Sequence, residues 1–397
     1  MPHFQLNRRG LLHGSVLLAA SAASGAWSTL SFAGPMVGPG NRMVLVILRG
    51  GLDGLYAVPA IGEPAFAAAR GALAEYPSAP LPIEGPFALH PALSRMHAMY
   101  SKGELAVLHA VGLPYHERSH FDAQQVLESG GALPYELKDG WLGRSLSSNG
   151  GKGLAVNTAI PLVLRGSKDI DTWVPSRLPD PSADLLQRVA RMYESDPALS
   201  SALQRARQLR DGGDMAGSGS AEGGFVALCQ RAGEFLSLAQ GPQVAVLELG
   251  GWDSHADQAT PGGKTTGNLR QLDQGLSALR DTLSGPSGRQ TWERTVIAVV
   301  TEFGRTVEIN GTRGTDHGNG GAAFVLGGAV KGGRVIADWP GLTKAQRYEG
   351  RDLKVTTDLR AVFKGLLVDH LQMDLRTLDR SVFPGTSALK PVSLLRS

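Results

Sequence analysis

Asp253 and His255 stand two residues apart in the segment GGWDSH, directly after the apolar run Val244–Leu249. In extended chain, residues i and i+2 point to the same side, so one carboxylate oxygen and one imidazole can share a cation. Carboxylate with imidazole suits Zn, Mn or Fe better than Ca or Mg alone. Similar groups follow other apolar runs. Val296–Val300 leads into Thr301, Glu302, Phe303, Gly304 and Arg305, and a short polar loop then brings Asp316 and His317 between Gly314 and Gly318. Met43–Leu48 leads into Arg49-Gly50-Gly51-Leu52-Asp53-Gly54, and Leu105–Val111 is followed by a polar segment holding Ser119 and His120. Asp53, Asp253, His255, Glu302, Asp316 and His317 are therefore the candidate ligands for one or two divalent ions. Two such ions about 4 Å apart would clamp the attacking and leaving oxygens of a displacement at phosphorus or sulfur. Ser119, at the start of a predicted helix, is the candidate nucleophile, because backbone N–H groups and the helix dipole favour an anion there. His120 and Arg305 complete the candidate catalytic set, with Arg305 and Arg49 placed to hold substrate oxygens. Each residue has a plainer alternative. Asp53 could shape a turn, Ser119 could only cap its helix, Glu302 could only pair with Arg305, and His317 could be a hydrogen-bonded loop histidine.

These groups converge only if the elements before them are neighbouring strands. Met43–Leu48, Leu105–Val111, Ile160–Leu164, Val244–Leu249 and Val296–Val300 read as strands, with short strands at Ala323–Leu326 and Arg334–Ala337. Helical patterns alternate with them at Pro64–Glu75, Pro91–Lys102, Phe121–Glu128, Asp184–Leu209 (broken near Pro197), Phe225–Ala239, Leu269–Leu283 and Thr357–Leu371. That alternation predicts an α/β fold, a mostly parallel mixed sheet with helices on both faces. In such a sheet the C-terminal strand ends lie along one edge, where ligands bind.

The whole chain has 397 residues, of which 42% are hydrophobic, ample for a packed core. Its net charge is +3, its charges are interspersed, and no basic stripe carries interleaved aromatics, which argues against a nucleic-acid partner. The N-terminus reads as a targeting segment over residues 1–33. Arg8 and Arg9 form a twin-arginine pair, an apolar stretch follows, and Ser31-Phe32-Ala33 offers small residues for cleavage. Export by the Tat translocase to the periplasm or beyond is the expectation. No later run reaches the roughly 18 apolar residues of a transmembrane helix. The single cysteine, Cys229, excludes an internal disulfide. Residues 211–224 have flexible-loop composition within one domain spanning 42–397. G-x-S-x-G, G-x-G-x-x-G and G-x-x-x-x-G-K-[ST] are all absent, which disfavours a serine hydrolase elbow and a nucleotide cofactor.

Taken in order, the twin-arginine segment, LVILRGGLDGL, RSHFDAQ, ELGGWDSH, TEFGRT and GTDHGNG resemble the DUF1501 family of exported bacterial proteins, which is similar to the alkaline phosphatase-like superfamily of sulfatases, phosphatases and phosphoglycerate mutases. The resemblance implies a three-layer α/β/α core. It implies one or two divalent metal ions, held by Asp53, Asp253, His255 and His317, with Glu302 standing where the superfamily usually has Asp-His, and a nucleophile at Ser119. It also implies an anionic small-molecule or glycan ester as substrate. Asp-x-His replaces the superfamily's more usual Asp-x-x-x-His, and Phe303 follows Glu302 in place of a histidine. The expected activity is thus a metal-dependent hydrolase of phosphate or sulfate esters. The alternative is a catalytically degenerate metal-binding or scaffold protein of the cell envelope.

Overall fold

A computed structural model describes residues 40–175, 181–211, 224–258, 263–286 and 289–396. The targeting segment and most of the loop expected at 211–224 lie outside the described residues. Nine strands form one sheet: β1 (Arg42–Arg49), β2 (Leu105–Gly112), β3 (Gly153–Ala155), β4 (Ile170–Thr172), β5 (Val244–Gly250), β6 (Thr295–Thr301), β7 (Gly321–Leu326), β8 (Arg334–Ile336) and β9 (Thr357–Asp358). Their order is β8-β2-β7-β6-β1-β5-β3-β4, with β9 also pairing β2. The expected third strand at Ile160–Leu164 is corrected. Leu162–Leu164 is a 3-10 turn, and the strand is Gly153–Ala155 instead. Pro161 has no N–H to give to a ladder, so the apolar run packs as a turn.

Centrally placed β1 is apolar without alternation, as a strand buried on both faces must be. Val44, Val46 and Leu48 join one core with helices α1 (Ser94–Ser101), α6 (Gly224–Ser237) and α7 (Lys264–Ser284). Met43, Leu45 and Ile47 join a second core with α2 (His120–Ser129), α3 (Trp141–Asn149) and α8 (Leu359–Asp369). Helices α4 (Ala183–Tyr193) and α5 (Pro197–Asp211) form a more exposed pair. The layers are α/β/α, as expected.

β1 pairs in parallel with β5 and β6. Only β7 runs against its neighbours, β2 and β6, so β2 has the same sense as β6. The C-terminal ends of β1, β2, β5 and β6 therefore share one edge, and the chain enters β7 from that same edge. The groups singled out in the sequence follow or precede these ends.

Candidate metal centre

Gly50 and Gly51, past the end of β1, have φ of +118° and +73°. A Cβ on Gly50 would lie 2.6 Å from the Asp253 backbone nitrogen, and one on Gly51 would lie 2.6 Å from the Phe303 ring. Both positions need glycine for conformation and for room. They let the loops after β1, β5 and β6 pack directly on one another. The loop after β6 folds back, Arg305 bridging His317 in antiparallel fashion, and this returns His317 to the edge.

The result is a cluster around Asp253. Its Oδ1 lies 2.9 Å from His255 Nε2 and 3.2 Å from His317 Nε2, and its Oδ2 lies 3.5 Å from His120 Nε2. The Nε2 atoms of His255 and His317 are 3.0 Å apart. Ligand atoms of His120, Asp253 and His317 all fall within 4.8 Å of one another. The cluster is open to solvent, with 43% of the Asp253 side chain and 46% of His255 exposed.

The other ring nitrogens each have an acceptor of their own. His120 Nδ1 lies 2.9 Å from Glu302 Oε1, His255 Nδ1 lies 3.2 Å from Asp316 Oδ1, and His317 Nδ1 lies 2.8 Å from the Arg118 carbonyl oxygen. A carboxylate and a carbonyl only accept, so each Nδ1–H is the donor in these bonds, and a ring that holds no second proton has an Nε2 lone pair to offer at the centre. At these distances each Nε2 either donates a proton toward the Asp253 carboxylate or, with a cation bound, would give that cation a lone pair. Nε2 of His120 is buried with no hydrogen-bond partner among the described residues. The donor set fits a metal ion. Ligands at about 2.0–2.1 Å in a tetrahedron would sit about 3.3 Å apart, close to the 2.9, 3.2 and 3.5 Å between Asp253 and the Nε2 atoms of His255, His317 and His120. Imidazoles whose second nitrogen is held by a carboxylate or carbonyl are the usual metal ligands.

Electrostatics agree with these roles. Burial opposes ionisation of Glu302, yet bonds from His120, Gly50 N–H (2.8 Å) and Gln124 outweigh it and hold its pKa below the ordinary value. The bond to Glu302 in turn raises His120. Burial lowers His317. Burial would raise Asp253, but the Arg305 guanidinium at 2.7 Å pulls it down. The Asn310 amide lowers Asp316, with His255 helping.

The residues singled out in the sequence thus fall into three groups. His120, Asp253, His255 and His317 converge. Glu302 and Asp316 stand behind His120 and His255 instead of among them. Asp53 is apart: it caps the turn of helix Gly54–Ala57, accepts from Tyr56 N–H, and takes Arg70 Nη2 at 2.5 Å and Gln258 Nε2 at 2.6 Å, with both charged side chains of that pair buried. Ser119 caps α2, its Oγ accepting a long 3.5 Å bond from Asp122 N–H. Buried Arg305 commits its guanidinium to Asp253 and Thr315. Arg49 is held between Glu128 (2.7 Å) and Glu248 (2.6 Å). Sequence reasoning missed three participants. Arg70 gave no local signal, being a mid-chain helical arginine. The Arg118 carbonyl and Gln124 lie within the RSHFDAQ segment, but their roles depend on contacts to residues far along the chain. Phe303 packs at a tilt against both His120 (ring centroids 4.7 Å) and His317 (5.0 Å), so one apolar ring supports both imidazoles.

A family model described as "Protein of unknown function (DUF1501)" matches residues 106–382, which carry all of this site except Asp53, Arg70 and the end of β1. The chain belongs to the DUF1501 family. No curated protein matches this DUF1501 chain. Among solved structures it is similar to the PsFucS1 sulfatase from Pseudoalteromonas sp., with 14% identity, 84% of this chain and 69% of that one covered, and a TM-score of 0.37. It is also similar to a phosphonate monoester hydrolase of Agrobacterium radiobacter, with 11% identity, 75% and 70% covered, and a TM-score of 0.38. A third is the C-terminal periplasmic domain of EcEptC from Escherichia coli in complex with Zn, with 11% identity, 74% of each chain covered, and a TM-score of 0.34. Likenesses this distant assign no activity to the DUF1501 chain. Among the described residues, no helix is long and apolar enough to cross a membrane.

Proposed function

We propose that this DUF1501 protein is an exported, metal-dependent hydrolase of phosphate or sulfate esters. The observation that carries the reading is the set of three imidazoles whose Nε2 atoms face Asp253 while their Nδ1 atoms are each held by an acceptor. His120, Asp253, His255 and His317 would hold one ion, Zn, Mn or Fe by donor chemistry. Such an ion, when bound, lowers the pKa of a nearby hydroxyl and offsets charge on the transferring group. The chain's own residues do the remainder. Glu302, Asp316 and the Arg118 carbonyl orient the three rings, and Arg305 keeps Asp253 ionised. Ser119, next to His120 in the chain and at the start of a ten-residue helix, is the proposed nucleophile. The expected substrate is an anionic small-molecule or glycan ester, met in the periplasm or outside the cell after export by the Tat translocase.

Elemental analysis of the folded, exported protein beside an Asp253→Ala variant tests the site. Stoichiometric metal that disappears in the variant is the expected result. Absence of metal from both, with equal stability, would sink the reading. A screen of phosphate and sulfate esters then tests the chemistry, since Ser119→Ala must lose turnover on any ester the protein cleaves.

A second reading keeps the metal and drops the turnover: an envelope binding or scaffold protein. The pairing of Asp53 with Arg70 favours it, because that carboxylate is committed to a buried guanidinium and a second ion would lack it. Metal-dependent cleavage of any ester would rule this reading out.

A further inference from the structure

Among the described non-glycine residues, Arg118 is one of few with a left-handed backbone, at φ +61°. It lies in the segment that carries His120, and its carbonyl oxygen accepts from His317 Nδ1 at 2.8 Å. For a residue with a Cβ that conformation is strained and persists only when the surroundings hold it. Here the side chain does the holding. Arg118 Nε donates to Asp352 Oδ2 at 2.9 Å, and Nη2 donates to Glu349 at 2.6 Å. Asp352 is fully buried and is itself fixed by Asn319 Nδ2 and Arg351 Nη1, each at 2.8 Å. Asn319 stands two residues past His317, and its backbone oxygen accepts from Gly304 N–H. Both ends of the bond to His317 are thus anchored to one buried carboxylate.

We infer that Arg118 is a positioning residue whose clamp on Asp352 holds its own backbone left-handed, so that its carbonyl fixes His317 with Nε2 turned toward Asp253. This rests on the metal reading above. Arg118 touches neither the centre nor substrate, and its effect passes through backbone geometry. That route makes an unusual demand on variants. Arg118→Ala removes the clamp but keeps the strain, so the peptide relaxes, the carbonyl turns away, and His317 is free to flip or change tautomer. Arg118→Gly removes both, because glycine has no steric penalty at this φ.

The test is metal affinity, measured by zinc titration of chelator-stripped full-length protein against a competing chelator. Ring 15N spectra of the stripped protein report the His317 tautomer beside it. Wild type should bind one zinc and show His317 protonated at Nδ1. Arg118→Ala should bind about tenfold more weakly, the scale set by a left-handed conformation no longer held, and should lose the Nδ1-H signal. Arg118→Gly should recover most of the affinity and the signal. Equal affinity in wild type and Arg118→Ala would overturn the inference. So would an Arg118→Gly variant no better than Arg118→Ala, which would mean that the guanidinium acts by its charge. If wild type binds no zinc, the metal reading itself fails, a separate outcome from either.

Discussion

Glu302→Gln separates a carboxylate that holds metal from one that stands behind a ligand. Three donors meet at Glu302 Oε1: Gly50 N–H at 2.8 Å, His120 Nδ1–H at 2.9 Å and Gln124 Nε2 at 3.3 Å. At Oε2 the partner is the Thr301 hydroxyl, 3.1 Å away. That hydroxyl also lies 2.8 Å from the Leu48 carbonyl oxygen, to which it can donate instead. Glutamine can therefore keep its oxygen where Oε1 is and point its amide group at Thr301, so the shape survives and only the charge goes. A hydrogen bond to a charged acceptor contributes about 1.5–3 kcal/mol and a neutral one about 0.5–1.5. The loss at His120 is then about 1 kcal/mol or a little more, or five- to tenfold in affinity. Outer acceptors of metal-bound histidines commonly cost 10–100-fold when removed. The expected result is zinc binding weakened roughly 10-fold at unchanged stoichiometry, with a melting temperature within a few degrees of wild type. Glu302→Ala should behave quite differently, because it strands buried donors at about 1–3 kcal/mol each and should lower the melting temperature sharply. Competition titration with a chelator reads the affinity, and calorimetry reads the stability. If Glu302→Gln loses the ion as completely as Asp253→Ala does, Glu302 is itself a ligand and the outer-layer placement is refuted. Unchanged affinity would show that the bond to His120 does nothing for the ion.

The other expectations come from buried charge and buried histidine. Arg70→Ala leaves the Asp53 carboxylate buried without its guanidinium, which should cost about 3–5 kcal/mol in urea unfolding, while Asp53→Asn should leave metal stoichiometry untouched; metal lost with Asp53→Asn would put Asp53 in the centre. His109 is fully buried, lying 3.0 Å from the Val58 carbonyl oxygen through Nε2 and accepting from Ala110 N–H through Nδ1, and burial pushes its pKa down to about 4. Above pH 6.5 neither folded nor unfolded chain binds this proton. Between 6.5 and 4 only the unfolded chain does, so stability should fall by about 3 kcal/mol over that window and then level off. Urea unfolding at stepped pH checks this, and a His109→Asn variant with an equally steep fall would acquit His109. Ser119→Ala should cost about 1 kcal/mol of stability as a lost helix cap, separately from any loss of turnover.

Much of the fold and of the centre is legible in the sequence alone, and the residues show why. Strands that feed chemistry end abruptly at Gly and charge, so their ends announce themselves, and a parallel sheet then gathers those ends along one edge. That logic singles out His120, Asp253, His255 and His317 from three separate stretches. It cannot rank them by distance from the centre. Glu302 and Asp316 offer the same functional group as Asp253, and which carboxylate faces the ion depends on loop paths that no local pattern encodes. The strand expected at Ile160–Leu164 fails for a readable reason, since Pro161 interrupts the run.

The two aspartates make the limit sharpest. Gly50-Gly51-Leu52-Asp53 and Gly250-Gly251-Trp252-Asp253 repeat one pattern after adjacent parallel strands, with Arg49 opposite Gly250 in register. In both, a large apolar residue is buried just before the acid. The path of the chain beyond each acid separates them. After Asp53 the chain turns at once into helix Gly54–Ala57, which makes Asp53 a cap and carries it under the surface to Arg70. After Asp253 no helix begins at once, and the chain continues through Ser254 to His255, which leaves the carboxylate at the open edge among imidazoles. One acid needs its own buried cation and has it in Arg70. The other gives one oxygen, Oδ1, to Arg305, His255 and His317 together, and turns Oδ2 toward His120. On the proposed reading such a centre would hold one ion, and a displacement there would have to place both the attacking and the leaving oxygen around a single charge, with Arg305 fixed on Asp253 as a permanent cation beside it.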